Sequence, residues 1–488
     1  MECRHVKAPR IERPPSRSHG PRGNVLTGRS ASPSGANTTT ATPPRRRAAG
    51  AASVRVPTQS VGTRDQKRMS VHREAESRAG VSLTRDVWLL FVTRSIRLLA
   101  YGAVSVILAL YLAEIGLSEA RIGLLLSLTL LGDTVVSLWL TTHADRLGRR
   151  KILVAGAVLM IGAAITFVLT ENFLLLLLAA TIGVISPSGN EVGPFLPVEQ
   201  AALSQVIPGS RRTGVFAWYS LAGSVATALG SLAGGLTAAG LQLVESPAAS
   251  YRAVILGYAL LGLLLAGLFL RLSSAVEVPP AARDAFWERG RRLGLGKSRR
   301  VVFRLSALFA LDALGGGFVI QSIVAYWFHV RFGVDPAVLG GIFFGANLFA
   351  GLSALLAARM AARFGLINTM VFTHLPSNVL LVLIPLMPNV ELAILVLLLR
   401  FSISQMDVPT RQSYTMAVVN PEERSAAAGV TGVARSTGAA VSPYLAGRLL
   451  GVPGLMGVPF FLAGGLKIVY DLFLYRSFIA LRPPEEKR

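Results

Sequence analysis

Twelve mainly apolar stretches of membrane-crossing length fill the chain between Val87 and Phe478, and charged residues recur at similar depths inside several of them. A helix needs about 20 such residues to span the hydrocarbon core. That ruler gives spans 1–6 at 87–113, 120–141, 152–170, 173–203, 212–241 and 250–271, and spans 7–12 at 302–329, 336–358, 366–387, 390–417, 424–449 and 455–477. The expected fold class is an all-α membrane protein, twelve transmembrane helices in two six-helix bundles over 86–272 and 301–480, with a cytoplasmic linker at 273–300 and a short tail at 481–488. An ionisable group at the bilayer centre costs about 2.5–3.5 kcal/mol on the lenient insertion scale, so a chain that keeps several has a use for them. The combination reads as that of a transporter.

The net charge of +23 would suggest nucleic acid in a soluble protein. Here residues 1–68 carry fourteen Lys/Arg against Glu2, Glu12 and Asp65, and most of the remaining excess lies in short loops on one side. No nucleic-acid partner is expected. The segment 1–85 is rich in Arg, Pro, Ser and Gly, without apolar periodicity, and is expected to be disordered. It reads as a basic lipid anchor, an organelle transit segment, or sequence upstream of a true start at Met69. The single Cys3 excludes a disulfide framework, and six scattered His give no metal-binding spacing. Gly296, Lys297 and Ser298 superficially resemble a phosphate loop, but the spacing from Gly290 is too long and no strand precedes them. Neither cofactor nor enzymatic activity is expected.

Lys/Arg bias sets the orientation. With the N-terminus inside, the inside loops hold Arg146, Arg149, Arg150, Lys151, Arg211, Arg212, the run from Arg283 to Arg300, Arg363 and Arg424, with Arg482, Lys487 and Arg488 in the tail; the outside loops hold Arg121, Arg252 and Arg331. Both termini are expected in the cytoplasm, the host being the plasma membrane, or an organelle inner membrane if the tail is a transit peptide. The halves also repeat. Pro197, Gln200, Arg212 and Gly235 precede Pro409, Gln412, Arg424 and Gly447 by 212 residues; Gly102 and Tyr111 precede Gly317 and Tyr326 by 215; Gly116, Ala120 and Gly123 precede Gly333, Ala337 and Gly340 by 217. Three ordered sets indicate a parallel duplication of six spans.

The turn between spans 2 and 3 reads TTHADRLGRRKIL, from Thr141 to Leu153. Its Asp-Arg-x-Gly-Arg-Arg order resembles the loop between helices 2 and 3 of the major facilitator superfamily. Asp145, Arg146, Gly148, Arg149 and Arg150 match, whereas Thr141 replaces the family's leading Gly. The resemblance implies that these residues latch the two halves in the outward-open state. Span 5 is similar to the glycine string of the family's antiporters at Gly230, Gly234 and Gly235, with Ala226 and Ser231 replacing the first Gly and the Pro; span 11 keeps Gly438, Pro443 and Gly447. Small residues let helices approach closely, which is their plain structural reading. Export by antiport is what the resemblance adds.

Among the interior charges, Arg97 lies about 15 Å along span 1 and Asp133 about 14 Å along span 2, depths at which the two could pair. Arg94 and Tyr101 flank Arg97 one turn to either side, forming a polar stripe, and Asp312 occupies the duplicate position of Arg97 at the offset of 215, where the two are expected to face one another across a central cavity. Spans 4 and 10 are broken, the first around Asn190 and Glu191 between Pro187 and Pro197, the second at Pro409 between Asp407 and Arg411, with Arg400 above. Arg435 lies about 16 Å into span 11. Asp407 with Arg411, and Lys467 with Asp471, read as intrahelical pairs; His374 reads as a packing or hydrogen-bonding group. Asp133 and Asp312, then Glu191, are the proton-coupling candidates, and Arg94, Arg97, Arg400 and Arg435 could hold an anionic or zwitterionic solute. The expectation is a monomeric secondary transporter of a small solute, exporting it against protons. Symport or facilitated uptake is the alternative, and a non-transporting membrane sensor the rival from another class.

Overall fold

The computed structural model describes residues 62–207, 212–278, 296–479 and 481. The tail before Gly62, Arg211, the linker's basic run over 283–295, and Arg482, Lys487 and Arg488 lie outside the described residues. Span 1 is α1 (Gly62–Glu114), a helix that begins ahead of the apolar run starting at Val87. It is followed by α2 (Glu119–Leu147), α3 (Arg149–Leu169), α4 (Phe173–Ile182) and α5 (Phe195–Val206) as the halves of span 4, α6 (Arg212–Leu241) and α7 (Pro247–Leu270). The second bundle has α8 (Arg299–Gly317) and α9 (Gln321–Phe332) as span 7, α10 (Pro336–Phe364), α11 (Leu366–Leu383), α12 (Val390–Ser404) and α13 (Asp407–Val418) as span 10, α14 (Arg424–Leu450) and α15 (Val458–Phe478). Ten segments among the described residues are long and apolar enough to cross a membrane. The other two spans are the broken span 4 and span 11, diluted by Arg424, Arg435 and Arg448.

Helix starts differ on the two faces. On the face opposite the 2–3 turn, the far side, four of the six helix starts among the described residues are capped by the residue before them: Asn172, Ser246, Asp335 and Asn389 accept backbone N–H groups of the first turn. On the turn side the carboxylates come from elsewhere. Glu277 accepts the amides of Arg149 and Arg150 at 2.8 and 3.1 Å, and Glu423 accepts those of Gly296, Lys297 and Ser298 at 2.9–3.0 Å. Gly148 and Gly365, duplicates 217 residues apart, join spans 2 to 3 and 8 to 9 with φ of 104° and 86°, a region open to glycine at little cost.

The bundles meet along spans 2 and 11 and along spans 5 and 8. Both crossings are glycine contacts on the far side. A Cβ on Gly447 would sit 2.2 Å from the Glu119 carbonyl oxygen and 3.0 Å from Gly123 Cα; one on Gly235 would sit 2.3 Å from the Pro336 carbonyl oxygen and 2.8 Å from Gly340 Cα. Each member of one crossing is the duplicate of a member of the other, so the pseudo-two-fold axis runs through this closure. Cross-bundle hydrogen bonds between described residues reinforce it: Tyr326 donates to Glu119 (3.0 Å), Gln321 to Ser105 (2.8 Å), and Ser322 to the Ser105 and Pro187 carbonyls (2.7 and 2.8 Å). Asn347 steadies Gln321 from within the second bundle (3.2 Å).

Candidate functional site

The unwound segment 183–194 of span 4 has lost its helical partners, and backbone polar groups in a dry interior must find others. Side chains supply them. Tyr258 donates to the Val184 carbonyl (2.6 Å), Tyr101 to that of Val192 (3.2 Å), and Ser186 to that of Asn190 (2.7 Å), while Asp133 accepts from the Gly193 N–H (2.5 Å) and the Ser137 hydroxyl (2.9 Å). Two sequence candidates, Tyr101 and Asp133, are thereby placed around the broken helix. Asn190 is exposed on it.

Arg97 does not pair with Asp133. Its guanidinium, fully buried, makes a two-pronged contact with Glu199 at 2.6 and 2.8 Å and reaches Glu191 at 3.1–3.3 Å. The physical reason is that Asp133 is spent on the loop amide, whereas Glu199, one helix turn into α5, presents both oxygens in the fork geometry that guanidinium matches. Arg94 Nη1 lies 3.0 Å from Glu191 and its guanidinium stacks 4.3 Å over the Tyr219 ring; the Tyr219 hydroxyl donates to Glu199.

The C-terminal bundle holds a second cluster. Asp312, buried in α8, takes Lys467 Nζ on one oxygen at 2.6 Å and Arg411 Nη1 on the other at 2.8 Å; Arg411 also touches Asp407 at 3.2 Å. His374 Nδ1 lies 2.9 Å from Asp471, whose other oxygen accepts from Asn378 at 2.9 Å, and His374 Nε2 lies 3.8 Å from Asp312. The intrahelical reading of Lys467 with Asp471 is corrected: span 12 turns the two toward different neighbours, spans 7 and 9, which offer buried partners of opposite polarity. The facing of Arg97 and Asp312 across the centre is corrected as well. Each is neutralised inside its own bundle.

The duplication relates the two clusters with charge reversed. Arg97 and Asp312 are duplicates at 215 residues, and Glu199 and Arg411 at 212. Arg97–Glu199 joins spans 1 and 4; Asp312–Arg411 joins spans 7 and 10. Sequence reasoning misses Glu199, though its place between Pro197 and Gln200, whose copies flank Arg411, is an available signal. Arg400 and Arg435 each keep a buried Nε without a hydrogen-bond partner, and no carboxylate lies in ion-pair contact with either among the described residues.

At the turn, Arg149 donates to Asp145 (2.8 Å), to the Gln205 side chain (2.8 Å) and to the Val276 carbonyl (3.0 Å), Arg150 reaches the Leu272 carbonyl (3.3 Å), and Arg146 is exposed. The described partners belong to the N-terminal bundle and to the first residues of the linker, Val276 and Glu277. Gly230 and Gly234 pack on Leu99 and Ala103 of span 1, and the Pro443 carbonyl lies 2.4 Å from where a Cβ on Gly123 would be.

Comparison with known proteins agrees with this architecture. A sequence model of the Major Facilitator Superfamily matches residues 90–443. The uncharacterized membrane protein YJR124C of Saccharomyces cerevisiae is 31% identical over 426 residues, covering 82% of this chain and 95% of its own. Quinolone resistance protein NorA of Staphylococcus aureus is 26% identical over 138 residues, 28% of this chain and 34% of its own. Among solved structures, a nucleoside transporter, NupG, superposes with a TM-score of 0.63 at 13% identity, covering 80% of this chain and 100% of that one, and a D-xylose-proton symporter gives 0.63 at 14%, covering 82% and 98%. Likeness at such low identity concerns the fold. The match over most of the chain, on two duplicated six-helix bundles, makes this protein a member of the Major Facilitator Superfamily, a membrane transporter and not an enzyme.

Proposed function

We propose that the protein exports a small solute in exchange for protons, rocking its two bundles about the far-side closure. The observation that carries this reading is the pair of dry charge clusters, one per bundle, at the level of the broken spans. A cluster of ionisable groups with hardly any water contact is costly to maintain, and its members can take and release protons as access alternates. The partial likeness to a quinolone resistance protein supports outward movement of the solute. With the 2–3 turn in the cytoplasm, the closed far side makes this the inward-facing state, and the turn, engaged here with its own bundle and the start of the linker among the described residues, is available to latch the halves in the opposite state.

A second reading is proton symport of an anionic or zwitterionic solute. Arg400 and Arg435 favour it, since their guanidiniums lack a carboxylate partner among the described residues and fit carboxylate or phosphate. A bound anion beside them would raise proton affinity nearby, coupling the two in the same direction. The test is reconstitution of the full chain in proteoliposomes with an internal pH dye under an imposed gradient, with solute pools supplied on either side. Proton flux opposite to solute flux supports export by antiport; flux in the same direction establishes symport; solute movement without protons refutes coupling.

A further inference from the structure

We propose that the exchangeable proton of the C-terminal bundle is held between His374 and Asp471, with Asp312 as a fixed counter-anion. The assignment rests on the proton-coupled part of the reading above and is independent of transport direction.

The geometry separates the two aspartates. Asp312 has a cation on each oxygen, Lys467 at 2.6 Å and Arg411 at 2.8 Å. Neutralising it would leave Lys467 with no carboxylate contact among the described residues, an isolated buried ammonium, which is the expensive outcome. Asp471 is 0% exposed and pairs with no Lys or Arg among the described residues; its partners are the His374 imidazole and the Asn378 amide. A carboxylate facing an imidazole has two states of similar charge cost. Either the proton sits on His374 and an ion pair forms, or it sits on Asp471 and both groups are neutral. In direct ion-pair contact, Arg411 and Lys467 take up Asp312 and Asp407, which leaves Asp471 facing only the His374 imidazole and the Asn378 amide among the described residues.

The surroundings of the pair are consistent with that assignment. Span 12 brings Lys467, directed at Asp312, and Tyr470, whose ring meets His374 edge-on at 5.9 Å. Span 7 brings Asp312, 3.8 Å from His374 Nε2. Span 10 brings Arg400, and Asp407 and Arg411, which pair with each other while Arg411 also holds Asp312; span 11 brings Arg435. Arg435 lies in the field of Arg411, Asp312 and Asp407, and Arg400 in that of Asp312 and Asp407, and neither forms an ion pair with Asp471 among the described residues. The charged residues of span 8 are Arg359 and Arg363, near its turn-side end. The imidazole thus sits between two carboxylates, hydrogen-bonded to Asp471, which is free to change protonation, and 3.8 Å from Asp312, which is locked by cations.

The test is infrared difference spectroscopy of the full chain in liposomes, acid minus alkaline, on wild type, Asp471→Asn, His374→Gln and Asp312→Glu. The protonated-carboxyl band is expected to vanish in Asp471→Asn, to stay at its wild-type frequency in Asp312→Glu, and in His374→Gln to appear at a pH displaced by about one unit or more, a tenfold change in proton affinity. A band unchanged in Asp471→Asn, or moved in frequency by Asp312→Glu, overturns the assignment. Should Asp471→Asn not fold, the displacement in His374→Gln decides, no displacement being the negative result. Proton flux is measured on the same vesicles: absent flux with the expected spectra refutes the transport reading alone, whereas coupled flux with an unchanged band refutes this one alone.

Discussion

Adding a single methyl at Gly447 should open the far side. The new Cβ would stand 2.2 Å from the Glu119 carbonyl oxygen, against ordinary contact at about 3.4 Å, so spans 2 and 11 must part by about 1 Å at a place where the nearest atoms are backbone and cannot swing aside. Overpacking of this kind costs about 1–3 kcal/mol. In an alternating-access cycle only the far-closed state bears that cost, because the crossing separates in the other. The population should therefore shift toward the far-open state by roughly five- to 150-fold. The chain's only cysteine is Cys3, so a Cys3→Ser background allows a single reporter, Ile323→Cys, which is 3% exposed and shares the Glu119–Gly447 pocket. Labelling by a membrane-impermeant maleimide from the far side should accelerate by about tenfold in Gly447→Ala, within that range, and likewise in Gly235→Ala, whose Cβ would lie 2.3 Å from the Pro336 carbonyl oxygen. Gly429→Ala, with open space around its Cβ, should leave the rate unchanged. Equal labelling in all three, in protein that remains monodisperse, would refute the idea that glycine contacts hold this end shut.

Three further outcomes follow from the clusters and clamps. Glu199→Gln leaves the buried Arg97 short of charge and should lower stability by about 3–5 kcal/mol, read as a fall in thermal midpoint in detergent; the double exchange Arg97→Asp with Glu199→Arg, imitating the copy in the other bundle, should recover part of it. Asp133→Asn keeps an acceptor for the Gly193 amide and should fold normally, whereas Asp133→Ala orphans that amide at a cost of about 1–3 kcal/mol; loss of proton flux in the folded Asn variant would show that Asp133 does more than hold the loop. At the turn-side clamp, hydrogen bonds from the Ser298 hydroxyl and the 296–298 amides hold the Glu423 carboxyl below its ordinary range. A depressed carboxyl contributes stability above its unfolded value and loses it as pH falls through the folded one, so amide protection at 296–298, corrected for intrinsic exchange, should be flat near neutrality and collapse only in acid. Glu423→Gln should show weaker protection and no such transition.

Much of the fold was legible because a bilayer demands lengths that sequence displays: the spans, the breaks at Pro187–Pro197 and Pro409, and the duplication all appear as runs, prolines and offsets. The pairing of charges was not. Depth along a helix placed Arg97 and Asp133 at one level, yet rotation about the helix axes and the needs of an unwound backbone decided that Asp133 serves Gly193 and Arg97 takes Glu199. Local spacing misled for Lys467 and Asp471 in the same way, since a partner four residues away on an isolated helix loses to a buried one on the next. Asp407 with Arg411 kept the local contact, while Arg411 also reaches Asp312 of span 7. Glu277 and Glu423, which cap helices more than 120 residues away in the chain, left no local mark at all.

Those two carboxylates make the faces of the protein mechanically unlike. On the far side each of the four capped helix ends is finished by its own neighbour, so a span there can tilt as a unit and carry its cap along. On the turn side, the beginning of span 3 hangs on the segment leaving span 6, and the beginning of span 7 on the loop between spans 10 and 11. Whatever pulls on either connector, a bound partner, a cleavage or a change of charge, is transmitted to the first turn of a membrane helix, which makes the linker side the natural handle for control from the compartment it faces.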